Sequence, residues 1–154
     1  MAGGITINGP RVQLSANRAT FPLGLLVGAG TPWNTIQLSG QLLVENAAVY
    51  WSGIGQSIQG RASIRLDNLS SALSTLRPLG TYTIEVTSPN SVPNIALGTL
   101  GGPLQLSGTG TWLDGRFIFR GLAEAQPGFT DALSNLLNIL GQRDGAARAI
   151  LSFG

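Results

Sequence analysis

Histidine, cysteine and lysine are all missing from this 154-residue chain. Without cysteine there is no disulfide scaffold, no thiolate nucleophile and no cysteine-bound metal. Without histidine the commonest general base and the commonest metal ligand are lost together. Without lysine the phosphate-binding Gly-x-x-x-x-Gly-Lys motif cannot be completed, and Gly98 to Gly102, though glycine-rich, does not lead into a helix. Charge is scarce too: 10% of residues are charged, against about a quarter in an average soluble domain. The nine basic residues are all arginine, scattered from Arg11 to Arg148, and the formal net charge is only +2, so no nucleic-acid partner is expected. No run approaches the roughly 18 apolar residues of a membrane-spanning helix. The most apolar stretch, Phe21 to Gly30, is too short and too rich in glycine. Met1 to Gly4 has neither a basic region nor an apolar one, so no signal peptide is expected there.

What remains is 43% hydrophobic, with 22 glycines and an uncharged polar complement of Ser, Thr, Asn and Gln. A disordered chain needs the opposite, few apolar residues and high net charge. The length suits one domain (1–154) with a real core. Alternation of period 2 marks strands along much of the chain. One extended segment lies within Ile5 to Ala19, another at Leu23 to Val27. Cleaner alternation runs from Thr35, with a turn or bulge expected at Glu45-Asn46 before the strand resumes over Ala47 to Trp51. Further strands are expected at Gln56 to Asp67, Thr81 to Thr87, Ile95 to Leu97 and Ala146 to Phe153. Twice the period changes. Leu69, Leu73 and Leu76 follow helical spacing between Asn68 and Pro78. Leu133, Leu136, Leu137 and Leu140 do so within Thr130 to Leu140, with Thr130 or its predecessor as cap and Gly141 as terminator.

The clearest element is Leu104 to Ala125. Asp114-Gly115 suits a type I′ turn, whose two central residues need positive φ. Counting outward pairs Leu113 with Arg116 and Gln105 with Glu124. One face then carries Trp112, Gly110, Gly108 and Leu106 against Phe117, Phe119, Gly121 and Ala123. Phe119 is placed to lie over Gly110, and Trp112 reads as core. Trp112, Asp114, Gly115, Phe117 and Phe119 are therefore assigned structural roles.

The two halves echo one another. Ile36 to Gly40 resembles Leu104 to Gly108, Ala72-Leu73-Ser74 resembles Ala132-Leu133-Ser134, and both helical patterns end in Leu-Gly. The expected fold is mainly β: a curved antiparallel sheet built from two β-β-α-β-like repeats (31–90 and 100–154), with two short amphipathic helices. Catalysis is not expected. The seven carboxylates, from Glu45 to Asp144, sit at turns, caps or solvent-facing strand positions, and Gly-x-Ser-x-Gly is absent. No metal or cofactor site is expected. Trp33, Tyr50 and Trp51 are the aromatics left over for interaction with a partner, a lipid or a sugar.

The run GGPLQLSGTGTWLDGRFIFRGLAEAQPG, the leucine helix ending NILG and the closing RAILSFG resemble the end of the type II secretion system protein N family. Thr31-Pro32-Trp33-Asn34-Thr35 and Arg77-Pro78-Leu79-Gly80-Thr81-Tyr82 resemble it as well, so the likeness runs from Thr31 to the end. It implies a non-enzymatic accessory or scaffold component of the bacterial type II secretion system. It further implies a periplasmic β-rich domain of a bitopic inner-membrane protein, whose membrane helix is not in this chain, and other secretion subunits as partners. The family has been likened to AsmA-like β-domains that handle lipid, which implies a lipid-binding groove as the alternative. A carbohydrate- or peptidoglycan-binding module using Trp33 or Trp51 is a third reading.

Overall fold

The computed structural model describes residues 2–8, 11–22, 37–52, 57–88 and 92–154. Among the described residues the alternating segments form ten strands: β1 (Ala2–Asn8), β2 (Arg11–Pro22), β3 (Leu38–Ser52), β4 (Ser57–Ser71), β5 (Gly80–Ser88), β6 (Asn94–Gly101), β7 (Leu104–Leu113), β8 (Arg116–Ala125), β9 (Gln142–Arg143) and β10 (Arg148–Phe153). One helix, α1 (Thr130–Leu140), lies between β8 and β9. All ten strands belong to one antiparallel sheet in the order β1-β2-β3-β4-β5-β6-β7-β8-β10-β9. The order is sequential except at the end, where α1 carries the chain away before β10 returns to pair with β8.

Several sequence expectations change here. The single extended segment over Ile5 to Ala19 is a hairpin, with Asn8 opposite Arg11. The strand expected at Leu23 to Val27 lies outside the described residues. The break expected at Glu45-Asn46 is a bulge: Asn46 has φ 52°, and the β3–β4 register shifts between Glu45 and Ala48. β6 runs well beyond the expected Ile95 to Leu97.

Only the second of the two expected helices exists among the described residues. β4 extends to Ser71, and the connection to β5 is a string of turns and bends. The Ser71 hydroxyl accepts from the Leu73 N–H at 3.2 Å, and the Ser74 hydroxyl accepts from the Leu76 N–H at 3.1 Å. Side chains thus bind the amides that a helix would have used, which is how serine competes with helix formation. Pro78 closes the segment and biases Arg77 away from helical geometry. The helix expected in the first of the two β-β-α-β-like units is thus not found among the described residues.

The leucines keep their apolar role without a helix. Leu79 joins Leu104, Phe119, Ala123, Leu133, Leu136, Leu137, Ala149 and Leu151 in the main core, with Leu73 and Leu76 packed against it. The apolar stripe of α1 supplies Leu133, Leu136 and Leu137, at 0%, 1% and 0% exposure. Each such burial is worth roughly 1.5–3 kcal/mol. At the start of α1 the predecessor of Thr130, Phe129, occupies the cap position, though no side chain makes a capping hydrogen bond there. Gly141 does end the helix, in extended rather than left-handed backbone, and its absent side chain admits the Ile150 carbonyl.

A second cluster joins Leu69 and the fully buried Tyr82, packed by Leu38, Leu42, Leu66, Leu97 and Leu106. The Tyr82 hydroxyl donates to the Leu104 carbonyl at 2.8 Å. The Leu104 N–H in turn donates to the Leu79 carbonyl at 3.1 Å. These two bonds tie β5, the end of the turn segment and the start of β7 into one junction.

Candidate interaction surfaces

Antiparallel register gives the sheet two chemically different faces. The core face carries Ala62, Ile64 and Leu66 of β4 against Val86, Ile84 and Tyr82 of β5. It continues through Ile95 and Leu97 of β6 to Gly110 and Gly108 of β7. Helix α1 packs against β8, β9 and β10, at one side of this face. Further across, Val44 and Val86 pack with Ala47 and Ala62, while Ile64, Ile84 and Ile95 stay half-buried.

The β7–β8 hairpin has the register read from its turn, Leu113 opposite Arg116 through Leu104 opposite Ala125. Asp114 and Gly115 have φ 49° and 76°, the left-handed values a type I′ turn requires. Phe119, 7% exposed, lies over more than the expected glycine. A Cβ on Gly108 would sit 2.5 Å from Phe119 Cζ, one on Gly121 2.8 Å from Phe119 Cε1, and one on Gly110 2.8 Å from the Phe117 ring. Trp112, read from the sequence as core, is 41% exposed. It packs at a 43° tilt against Phe117 with ring centroids 4.6 Å apart, and the aromatic chain continues through Phe119 to Phe153. The layer above the sheet packs near the far end of the hairpin, so the turn end stays open to solvent. Leu113, on the opposite face, is 57% exposed.

The aromatics singled out for interaction fall elsewhere. Trp33 lies outside the described residues. Tyr50 and Trp51 lie in β3, where Trp51 shares a register row with Val12 and Ile58, and Tyr50 with Gln13 and Gln59. Their side chains are outside those described, and the three residues do not form a described site.

The sheet ends in edges. β9 covers β10 only at Ala149 and Ile150, so 151–153 have no partner strand on that side among the described residues. Arg143 anchors this corner. Its Nη1 donates to the Ser134 carbonyl at 3.0 Å and to Asn138 Oδ1 at 2.9 Å, its Nε to the Gly145 carbonyl at 3.2 Å, and its Nη2 to the Ala146 carbonyl. β1 is the opposite edge of the described sheet.

The second face is polar. Arg65 makes a two-point ion pair with Asp67, at 2.8 and 3.1 Å, and this carboxylate raises the arginine's pKa further above its ordinary value. Leu43 is the exception in its polar row, buried to 5% beside Arg65. A cleft of about 480 Å³ opens across β5 to β8, with Glu85 and Arg120 among its walls. Sequence reading misses it because only the ladders between four successive strands set its walls side by side. Among the described residues only the Tyr82 phenol is strongly perturbed: burial pushes its pKa far above the ordinary 10.0. That tyrosine lies in the core and away from the cleft. No group of three or more metal-ligating side chains occurs among the described residues, and no described helix is long and apolar enough to cross a membrane.

These features define a class: a mainly β protein made of one open antiparallel sheet, plugged at one side by a short helix. The family model for type II secretion system protein N matches residues 1–150. The chain belongs to that family and is a component of a type II secretion system. Neither a curated protein nor a solved structure matches it.

Proposed function

We propose that the chain is a non-catalytic scaffold of the type II secretion system that acts in the periplasm and binds other envelope subunits by strand addition. The observation that carries this reading is the uncovered edge of β10 beyond Ile150. An edge strand presents N–H and C=O groups in the geometry that a partner strand needs. The test is photo-crosslinking in the intact cell envelope from a probe at Ser152, which is exposed on β10. Adducts with secretion subunits are expected from Ser152 and not from Thr75, exposed in the turn segment. Adducts from Thr75 alone overturn the edge reading.

A second reading has its own observation. Half-buried Ile64, Ile84 and Ile95 form an apolar strip on the core face. That strip suits a hydrophobic ligand such as lipid. Native mass spectrometry of protein taken directly from membranes checks it: co-purifying lipid supports the groove, and clean apo protein counts against it.

A further inference from the structure

The polar-face cleft has an internal order that its lining alone does not convey. The ladders place Glu85 opposite Ala96, Ala96 opposite Thr109, and Thr109 opposite Arg120. The four residues make one straight row across β5, β6, β7 and β8. Neighbouring strands lie about 4.8 Å apart, so the carriers of the two charges are separated by roughly 14 Å. A carboxylate stands at one end and a guanidinium at the other. The positions between them carry only an alanine and a threonine, which keeps the floor low. Ile118 makes part of the wall apolar, and Asn94 adds a polar side chain at the rim.

The two charges are held but not neutralised. Glu85 accepts one hydrogen bond, from the Ser63 hydroxyl at 2.7 Å, through a single carboxylate oxygen. Arg120 donates through Nη1 alone, to the Phe119 carbonyl at 3.0 Å and the Phe153 carbonyl at 3.3 Å. Ion pairs among the described residues involve Arg65, Asp67, Arg148, Glu124 and Asp144, not these two. Glu85 is therefore oriented by one contact and Arg120 by two, none of them with an opposite charge. Three strand spacings keep them too far apart to pair with each other. Fixed charges of opposite sign at the two ends of one cleft select a ligand with complementary charges at matching separation.

We infer that this cleft binds an extended peptide segment bearing a basic side chain and an acidic one four positions apart. An extended chain advances about 3.4 Å per residue, so positions i and i+4 span roughly 14 Å. Their even spacing puts both side chains on the same side of the peptide, with i+2 between them. The residue at i+2 then stands over Ala96 and Thr109 and is small. A zwitterionic lipid headgroup carries both charges, but only a few bonds apart, too close to reach both ends of a row of roughly 14 Å. A sugar finds no aromatic platform among the cleft-lining residues. The Arg120 end of the cleft adjoins β10, where Ser152 pairs with it and the Phe153 carbonyl accepts from it. Glu85, three strands away, is clear of that edge, so the Glu85 end reads the cleft independently of strand addition at β10.

The experiment is an NMR titration of the whole chain with the acetylated, amidated pentapeptide Lys-Ser-Ala-Ser-Asp. Saturable amide shifts are expected along the row Glu85, Ala96, Thr109 and Arg120, with binding near 1 mM or tighter. Glu85→Arg and Arg120→Glu are each expected to weaken binding by about tenfold, since each replaces an attraction with a repulsion. Preferences then change in a defined way: Glu85→Arg takes Asp-Ser-Ala-Ser-Asp, and Arg120→Glu takes Lys-Ser-Ala-Ser-Lys. Should Arg120→Glu unfold through loss of its carbonyl contacts, the Glu85→Arg arm alone still decides. The inference is overturned by unsaturable shifts, by equal response to a peptide with Lys and Asp adjacent, or by unchanged preference in Glu85→Arg.

Discussion

The β4–β5 connection and the β8–β9 connection begin from similar sequence and reach different structures. Both carry Ala-Leu-Ser followed by spaced leucines and a Leu-Gly ending. Both deliver leucines to the main core, Leu73, Leu76 and Leu79 in one case and Leu133, Leu136 and Leu137 in the other. Yet only the second is helical. The difference is available length. α1 has 11 residues between Phe129 and Gly141. In the first connection β4 holds the chain until Ser71, and Pro78 forbids continuation, leaving too few residues to recover the cost of nucleating a helix. Apolar spacing therefore specifies which residues are buried, while the chain length between strand ends decides how the backbone gets there.

Equal burial by unlike backbones implies equal energetic weight. Leu137→Ala and Leu79→Ala, at 0% and 1% exposure, are each expected to cost about 2–5 kcal/mol. Urea unfolding followed by circular dichroism measures both. A near-silent Leu79→Ala would show that the turn segment is merely draped over the core. Backbone tests should separate what the leucines equate. Asn135→Pro, at an exposed position inside α1, is expected to cost about 3 kcal/mol and much of the helical signal. Thr75→Pro, exposed in the bends, should cost well under half of that in the same assay. Similar losses at the two positions would break the contrast.

The junction beneath both connections gives a pH test. Tyr82 is buried with its pKa raised above the ordinary 10.0, so the folded state holds this proton more tightly than the unfolded chain. Its stabilisation is complete below about pH 10 and declines as pH rises beyond that value. Tyr82→Phe should cost about 1 kcal/mol at neutral pH through the lost bond to Leu104. It should also flatten the alkaline fall in urea midpoint, and a fall as steep as in the parent would place the sensitive group elsewhere. A comparably small effect is expected furthest from the core. Gly115→Ala, with φ 76° and open space around it, should cost about 1 kcal/mol and leave α1 intact.

The β7–β8 hairpin is fully legible in the sequence because Asp114-Gly115 sets the turn and period 2 carries the register outward from it. The extent of α1 is legible because Pro127-Gly128 and Gly141 bracket one unbroken apolar stripe. Trp112 is misjudged from sequence for a physical reason: alternation says which face a side chain takes, not how far the opposing layer extends along it. Leu69 reads as helical because leucine spacing cannot show that β4 continues past Asn68, whose φ of 50° marks the irregularity there. The cleft is invisible in the sequence, since Glu85, Ala96, Thr109 and Arg120 become neighbours only through three ladders. The open edge of β10 is equally hidden, because it depends on β9 having only two residues.

The sequential strand order bears on how the molecule is made. From β1 to β8 each strand's partner is the one synthesised just before it. A chain that emerges N-terminus first can zip strand by strand, each new strand pairing with its neighbour in sequence, and does not have to wait for a distant segment. The exception comes last. β10 must cross back over α1 to reach β8, burying Leu133, Leu136 and Leu137 as it does so. Arrival of the final six residues of sheet, Arg148–Phe153, thus completes the main core, and a nascent chain stopped short of them keeps its largest apolar surface open to chaperones and proteases.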